Sequence, residues 1–406
     1  MMKNILLMIV SLVVSFLILE GAIRSYHLRG VVRRSLNSIT NVQTDDCRVQ
    51  DSYLHHALKP NCTGLVQAGD DFKYTMHTNS FGLRSPETTL AKPEGVYRIL
   101  VLGDSFTEGW GVADNETFSR VLEKRLNEMV RTEESIPLRV RDPQIAITSP
   151  DDTTGIESLP AVSHIEVINA GIGSYSPILE ARYLFSKGLE FDPDMMFVMV
   201  DSNDLKDEYF YGGWRAHNEL REKLGKETVD TDSKLVPVNV PFAQQSKLIG
   251  FLYSVLRSKY DTAHERLSYY NLSYSDPLMI LAHDWEGYSD AYDLLGANME
   301  LMKSELNNRG IEFAVSVSSQ GLYYSSDGWS PGRSIWGLPE NTQFPPYPIW
   351  EMEKQFAARD ITYINTFLPQ FASNDTDLYF PNDGHWTPKG HEIVGKTLAD
   401  YLIEKL

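Results

Sequence analysis

A serine attacks an acyl carbonyl efficiently when three things surround it. A histidine takes its proton, an acid orients that histidine, and amide donors receive the negative oxygen that develops. Residues of these types stand at four points in this 406-residue chain. Ser105 lies in Gly103-Asp104-Ser105-Phe106-Thr107-Glu108-Gly109. A glycine-rich run, Gly171-Ile172-Gly173-Ser174-Tyr175-Ser176-Pro177, comes next. Asn203 follows in Asp201-Ser202-Asn203-Asp204. Asp383 and His385 sit two apart in Pro381-Asn382-Asp383-Gly384-His385-Trp386. The chemistry then assigns roles. Ser105 is the nucleophile, and His385 is the base that later returns the proton. Asp383 orients the imidazole and stabilises its cation. The backbone N–H of Ser105, that of Gly173 or Ser174, and the side-chain amide of Asn203 are candidate oxyanion donors. Asp104 braces the serine turn, and Asp204 supports the asparagine loop.

A lone Gly-Asp-Ser is a weak signal, because a capping serine in a strand–helix loop is commoner. Position strengthens it. Tyr97 to Leu102 is an apolar run that reads as a buried strand. Apolar residues at 118, 121, 122 and 126 then recur at helical spacing. Further strands are expected at 165–169, 195–200, 311–318 and 361–365. Helices are expected at 115–131, 177–188, about 286–309, 348–359 and 388–405. Such alternation implies an α/β domain, a five-stranded parallel sheet covered on both faces. Each candidate block then falls after a strand, and open α/β sheets collect their sites at the carboxyl ends of strands.

Three stretches interrupt the pattern, at 132–163, 205–282 and 320–347. The last two follow strands and should overhang the catalytic edge as lids or binding loops. They carry Tyr209, Phe210, Tyr211 and Trp214, then Tyr323, Tyr324, Trp329, Trp336, Tyr347 and Trp350. Such rings stack on sugars, line an acyl pocket, or pack a lid onto the domain. Arg215 and Arg333 are candidates for holding an anionic substrate.

The net charge of −18 argues against nucleic-acid binding. Plentiful aromatics argue against wholesale disorder, and no internal repeat is apparent. Cys47 and Cys62 are the only cysteines. A zinc site would need more ligands nearby. A disulfide in an oxidising compartment and two unrelated thiols both remain open. Ile5 to Leu19 is free of charge and follows Lys3. Residues 1–23 therefore read as a signal anchor or transmembrane helix without a clean cleavage site. Residues 24–95 form a juxtamembrane region, and 96–406 the main domain. Arg24, Arg29, Arg33 and Arg34 would keep the far side cytoplasmic by the positive-inside rule. The cysteine pair argues the opposite, and the extracytoplasmic side is preferred.

Together the four blocks resemble the SGNH hydrolase (GDSL-like lipase/acylhydrolase) superfamily. Gly103-Asp104-Ser105, the Gly171–Ser176 turn, Asn203-Asp204 and Asp383-Gly384-His385 match its blocks in order. Asn79-Ser80-Phe81-Gly82-Leu83-Arg84 resembles a segment of membrane-anchored bacterial members. The resemblance implies a flavodoxin-like three-layer α/β/α sandwich, no cofactor, and hydrolysis or transfer of ester-linked acyl groups. It also supports the extracytoplasmic placement. Three departures stand out. Ser174 occupies the usual place of the oxyanion glycine. Asp201 replaces a glycine and is expected to point away from the hole. The acid precedes the histidine by two residues rather than three, with Asn382 in the usual place. That spacing is similar to the alginate O-acetyltransferase branch, which acts on exported polysaccharides. The expectation is a serine esterase acting on O-acetyl or short acyl groups of a carbohydrate or lipid. The alternative is a non-catalytic polysaccharide-binding module of a surface assembly.

Overall fold

The computed structural model describes residues 47–132, 162–231, 234, 285–333, 341–373, 375 and 377–405, with isolated positions between 11 and 21. The expected membrane helix at 1–23 falls mostly outside these residues. Among the described residues, no helix is long and apolar enough to cross a membrane. Trp336 and most of the insertions at 132–163 and 205–282 also lie outside them.

Ahead of the main sheet lie two antiparallel hairpins, β1 (Arg48–Asp51) with β2 (His55–Leu58) and β3 (Thr63–Ala68) with β4 (Phe72–His77). Then come β5 (Val96–Gly103), the single turn α1 (Ser105–Glu108), α2 (Phe118–Thr132), β6 (His164–Asn169) and α3 (Pro177–Ser186). They are followed by β7 (Met195–Val200), α4 (Asp204–Phe210), α5 (Gly213–Lys223), α6 (Trp285–Asn307) and β8 (Glu312–Val317). The last elements are α7 (Gly321–Tyr324), α8 (Tyr347–Ala358), β9 (Thr362–Tyr363), α9 (Phe367–Ala372) and α10 (Pro388–Lys405).

Strands β5 to β9 form one sheet in the order β6-β5-β7-β8-β9, with every pairing parallel. Every residue of β5 and of β7 is buried. That is why both read as unbroken apolar runs rather than as alternating ones. Successive side chains still go to opposite faces. Leu100 and Leu102 join Ile168, Val198, Ile178 of α3 and Met299 of α6 in one core. Ile99 and Val101 join Val167, Phe197, Phe118 and Leu122 of α2 and Val394 of α10 in the other. The result is a three-layer α/β/α arrangement.

The strand order turns back on itself between β5 and β7. The chain leaves β5 for β6 on one side and returns to β7 on the other. Crossover segments therefore diverge at the carboxyl ends of this pair, and a crevice opens there. Ser105 begins just past β5 and Asn203 just past β7.

The region ahead of β5 is part of the same body. In β4, Phe72, Tyr74 and Met76 are buried while Lys73, Thr75 and His77 are exposed. Leu54, Leu58, Val66 and Leu83 share the core of Leu100 and Ile178. Cys47 and Cys62 form a disulfide that encloses the β1–β2 hairpin. Their separation of 15 residues sets the expected effect of removing the bridge. The Cys47→Ser, Cys62→Ser protein should lose about 3 kcal/mol of stability by loop-closure entropy. Urea denaturation measures this, and an unchanged midpoint would contradict it.

Candidate active site

The serine turn is built from backbone constraints. Gly103 ends β5 at φ +152°. A Cβ there would lie 2.7 Å from the Met199 carbonyl oxygen of β7, so only glycine fits. Asp104 caps α1, its Oδ1 accepting from the Phe106 N–H at 2.9 Å. Ser105 is thus the first residue of a helical turn facing the crevice. Arg84, the last residue of the Asn79–Arg84 segment, clamps the chain beyond it. Its guanidinium donates to the carbonyls of Glu108 (3.1 Å), Gly109 (2.5 Å) and Val112 (2.5 Å) and to Asp114 (2.8 Å). Asn79 shapes its own turn, accepting from the N–H groups of Phe81 and Leu83 at 3.0 Å each.

His385 reaches the serine from the opposite end of the chain. Its Nε2 lies 2.8 Å from Ser105 Oγ, and its Nδ1 lies 2.5 Å from Asp383 Oδ1. The second oxygen of Asp383 accepts from Trp110 Nε1 at 3.1 Å. Asn382 takes no part in this chain. Its N–H and side-chain amide both go to Asp71 (2.9 and 2.7 Å), which also accepts the Asp383 N–H at 2.7 Å. The turn between β3 and β4 therefore holds the acid loop from beneath.

Charge is arranged to favour an imidazolium. Burial alone would lower the proton affinity of His385. The charge and hydrogen bond of Asp383, with Asp104 and Asp201 farther off, outweigh it and raise the value above that of ordinary histidine. Asp383 is itself held below the ordinary carboxylate range, because His385 and Trp110 overcome the burial penalty.

The glycine loop lies against α1. Ile172 N–H bonds to the Gly103 carbonyl at 3.0 Å, and the Asn169 side chain bonds to the Thr107 carbonyl at 2.8 Å. Of the two loop amides considered as donors, that of Gly173 is donated to Glu108 Oε2 at 2.6 Å. Ser174 adopts φ +65°, a left-handed conformation that favours glycine. Asn203 Nδ2 lies 3.3 Å from Asp104 Oδ2, and Ser105 Oγ lies 3.5 Å from the same oxygen. Asp204 holds its own loop, accepting from the Asp201 N–H at 2.8 Å. Asp201 is turned to Gln320, whose Nε2 lies 2.9 Å from both its oxygens.

The aromatic residues divide. Tyr209 and Trp214 are core, both donating to Asp290 Oδ2 (2.6 and 3.0 Å). Tyr323 and Trp329 are buried, Trp329 against the acid loop at Gly384. Phe210 and Trp350 remain largely exposed. Arg333 is fully buried, donating to the Thr342 carbonyl at 2.8 Å, so it is no exposed anion holder. An apolar cavity of about 430 Å³ is lined by Tyr323, Phe344, Trp350, Phe367 and Phe371 among others. Among the described residues, no His, Cys, Asp and Glu cluster is arranged for a metal. Sequence reasoning missed Arg48, His56, Asp71, Trp110 and Gln320. Trp110, adjoining the serine block, was the most accessible of them.

No family model matches the chain, and no curated protein matches it. Among solved structures, it is similar to a lipase/acylhydrolase from Enterococcus faecalis. That match has 13% identity and a TM-score of 0.36, covering 76% of this chain and 97% of that one. It is also similar to the acetyl xylan esterase AlAXEase, with 10% identity, coverage of 75% and 99%, and a TM-score of 0.36. A member of the lipolytic G-D-S-L family from Veillonella parvula matches with 12% identity, coverage of 76% and 100%, and a TM-score of 0.34. Likeness at this level says nothing of substrate, and the chemistry has to be taken from the site itself.

Behind the site lies a group of buried acids. Asp104 and Asp207 are pushed up to about 7 and Glu208 to about 8, burial being the main cause in each. Glu180 and Asp204 are raised well above the ordinary range for the same reason. Groups whose folded values exceed their unfolded ones stabilise fully below the unfolded value, and that stabilisation is lost as pH rises through the folded one. Thermal stability should therefore fall as pH rises from about 4, the ordinary carboxylate value, to about 8. Glu208→Gln, which mimics the protonated acid, should flatten that decline. A wild-type melting temperature that rises over the interval would contradict the assignment.

Proposed function

We propose that the chain is a serine-dependent ester hydrolase of the SGNH (GDSL-like) type. The observation carrying this reading is the hydrogen-bonded series Ser105–His385–Asp383, at 2.8 and 2.5 Å, at the carboxyl edge of a parallel sheet. Ser105 Oγ bonds to the acyl carbon as its proton passes to His385 Nε2, and the carbonyl electron pair moves to oxygen. Ser105 N–H, an Asn203 Nδ2 hydrogen and a glycine-loop amide receive that oxygen. His385 returns the proton to the leaving alkoxide as its bond to carbon breaks, leaving an acyl-Ser105. Water then attacks, gives its proton to His385, and the carboxylic acid departs as the proton returns to Ser105. A sugar hydroxyl in place of water makes the reaction a transfer.

The acyl group we assign is acetyl or another short chain, carried by a carbohydrate or lipid. The Asp-x-His spacing and the exposed Phe210 and Trp350 rings support this. We place the domain outside the cytoplasm, tethered through residues 1–23. The Cys47–Cys62 bridge supports that placement, because such bridges persist in oxidising compartments. If both thiols of protein from its own cells reacted with maleimide before any reduction, the placement would be overturned.

A fluorophosphonate probe tests the chemistry. The wild type should be labelled covalently, and Ser105→Ala and His385→Ala should not. Since only neutral His385 accepts the serine proton, the labelling rate should drop as pH falls through a value above the ordinary ~6.5 of histidine. A folded wild type that stays unlabelled would sink the hydrolase reading in favour of the binding module.

A further inference from the structure

Gly173 is held at both ends of its backbone. Its N–H goes to Glu108 Oε2 at 2.6 Å, and its carbonyl oxygen lies 2.8 Å from His56 Nε2 of β2. Glu108 is completely buried, and Arg48 Nη2 of β1 reaches both its oxygens, at 2.9 and 2.8 Å. A Cβ on residue 173 would lie 2.7 Å from that same Arg48 nitrogen, so the guanidinium would have to shift to admit one. His56 is fixed in turn, its carbonyl accepting from the Tyr175 hydroxyl at 2.7 Å. Burial lowers the proton affinity of its ring. A neutral imidazole whose Nε2 faces a carbonyl carries its proton on that nitrogen and donates it.

The direction of the next amide follows. In a trans peptide the N–H points opposite to the C=O. The Gly173 carbonyl faces the β1–β2 hairpin, so the Ser174 N–H of the same peptide faces away from it. Ser174 holds φ +65°, which a residue with a Cβ adopts only when its surroundings impose it. The clamp on Gly173 is such an imposition.

We propose that His56, acting with Glu108 and Arg48, is a positioning residue that aims the Ser174 amide at the oxyanion. None of the three touches the substrate; they act through the 173–174 peptide. The inference rests on the chain being a serine hydrolase. It deepens that reading by making the N-terminal hairpin a working part of the oxyanion hole.

The test uses the full chain. It measures kcat and KM for 4-nitrophenyl acetate and inhibition by phenylboronic acid, whose tetrahedral adduct with serine places an oxygen in the hole. Three variants separate donation from bulk. His56→Phe keeps a ring without a donor, and His56→Asn is too short to reach. His56→Gln sets an amide nitrogen where Nε2 was. The Phe and Asn variants should lower kcat about 10- to 100-fold. Their KM should stay within about threefold, and boronate inhibition should weaken by a factor similar to that of kcat. His56→Gln should recover most of the loss. Equal kcat in all three variants and the wild type would overturn the proposal, as would a loss of kcat without weakened boronate inhibition. If His56→Phe does not fold, the Gln–Asn comparison decides alone. A folded wild type that neither turns over the ester nor takes the phosphonate overturns the hydrolase reading and this inference with it. A wild type that turns over while His56 is irrelevant removes only the inference.

Discussion

One contact of 2.8 Å, between Ser105 Oγ and His385 Nε2, joins residues 280 positions apart. A hydrogen bond weakens steeply beyond its normal range. Two loop tips from opposite ends of the domain must therefore be fixed to within a few tenths of an ångström. The sheet does the coarse work, since β5 is an interior strand and delivers the serine beside the β5–β7 reversal. The fine work falls to side chains outside the Ser105–His385–Asp383 series. Arg84 gathers three carbonyls behind the serine turn. Asp71 gathers three donors of the acid loop.

The electrostatics of the site pull in two directions. Acids around His385 favour its cation, the form it takes in the proposed reaction. The same negative charges would oppose the oxyanion. Burial reduces the conflict, because it makes ionisation costly and holds Asp104 near 7 rather than near 4. Asp201, another acid near the site, is taken up by Gln320 and by the Ser202 N–H at 2.5 Å. The field at the imidazole is thus set mainly by Asp383, the one acid here held below its ordinary value against burial.

Much of this was legible in the sequence, for physical reasons. Central strands covered on both faces must be apolar throughout, so β5 and β7 were visible as runs. The reactive residue types stand at strand ends, where the geometry of an open sheet puts sites. Other features had no local trace. His56 and Gly173 lie 117 positions apart, and nothing near either announces the other. The choice between the Gly173 and Ser174 amides depends on which way one peptide faces, which composition does not encode. The β4 alternation of Phe72, Tyr74 and Met76 was present in the sequence. It passed unread within a region whose apolar positions are otherwise irregular.

The two hairpins ahead of β5 anchor loops of the site. Arg48 and His56 act on the glycine loop, and Asp71 acts on the acid loop. Arg84, just downstream, acts on the serine turn. All four precede β5, the first strand of the main sheet. The disulfide encloses the hairpin that carries Arg48 and His56, so it restrains the unfolded chain and the support of the glycine loop together. A fragment starting near residue 95 would retain every residue of the Ser105–His385–Asp383 series and all five strands of the sheet. It would lose the partner of the buried Glu108, the donor on the Gly173 carbonyl and the acceptor of the Asp383 N–H. A carboxylate as enclosed as Glu108 is costly to leave without its guanidinium. The glycine loop would therefore be expected to rearrange before the sheet did. The support of those three loops therefore reaches back beyond the first strand of the sheet, to the hairpin that the disulfide encloses.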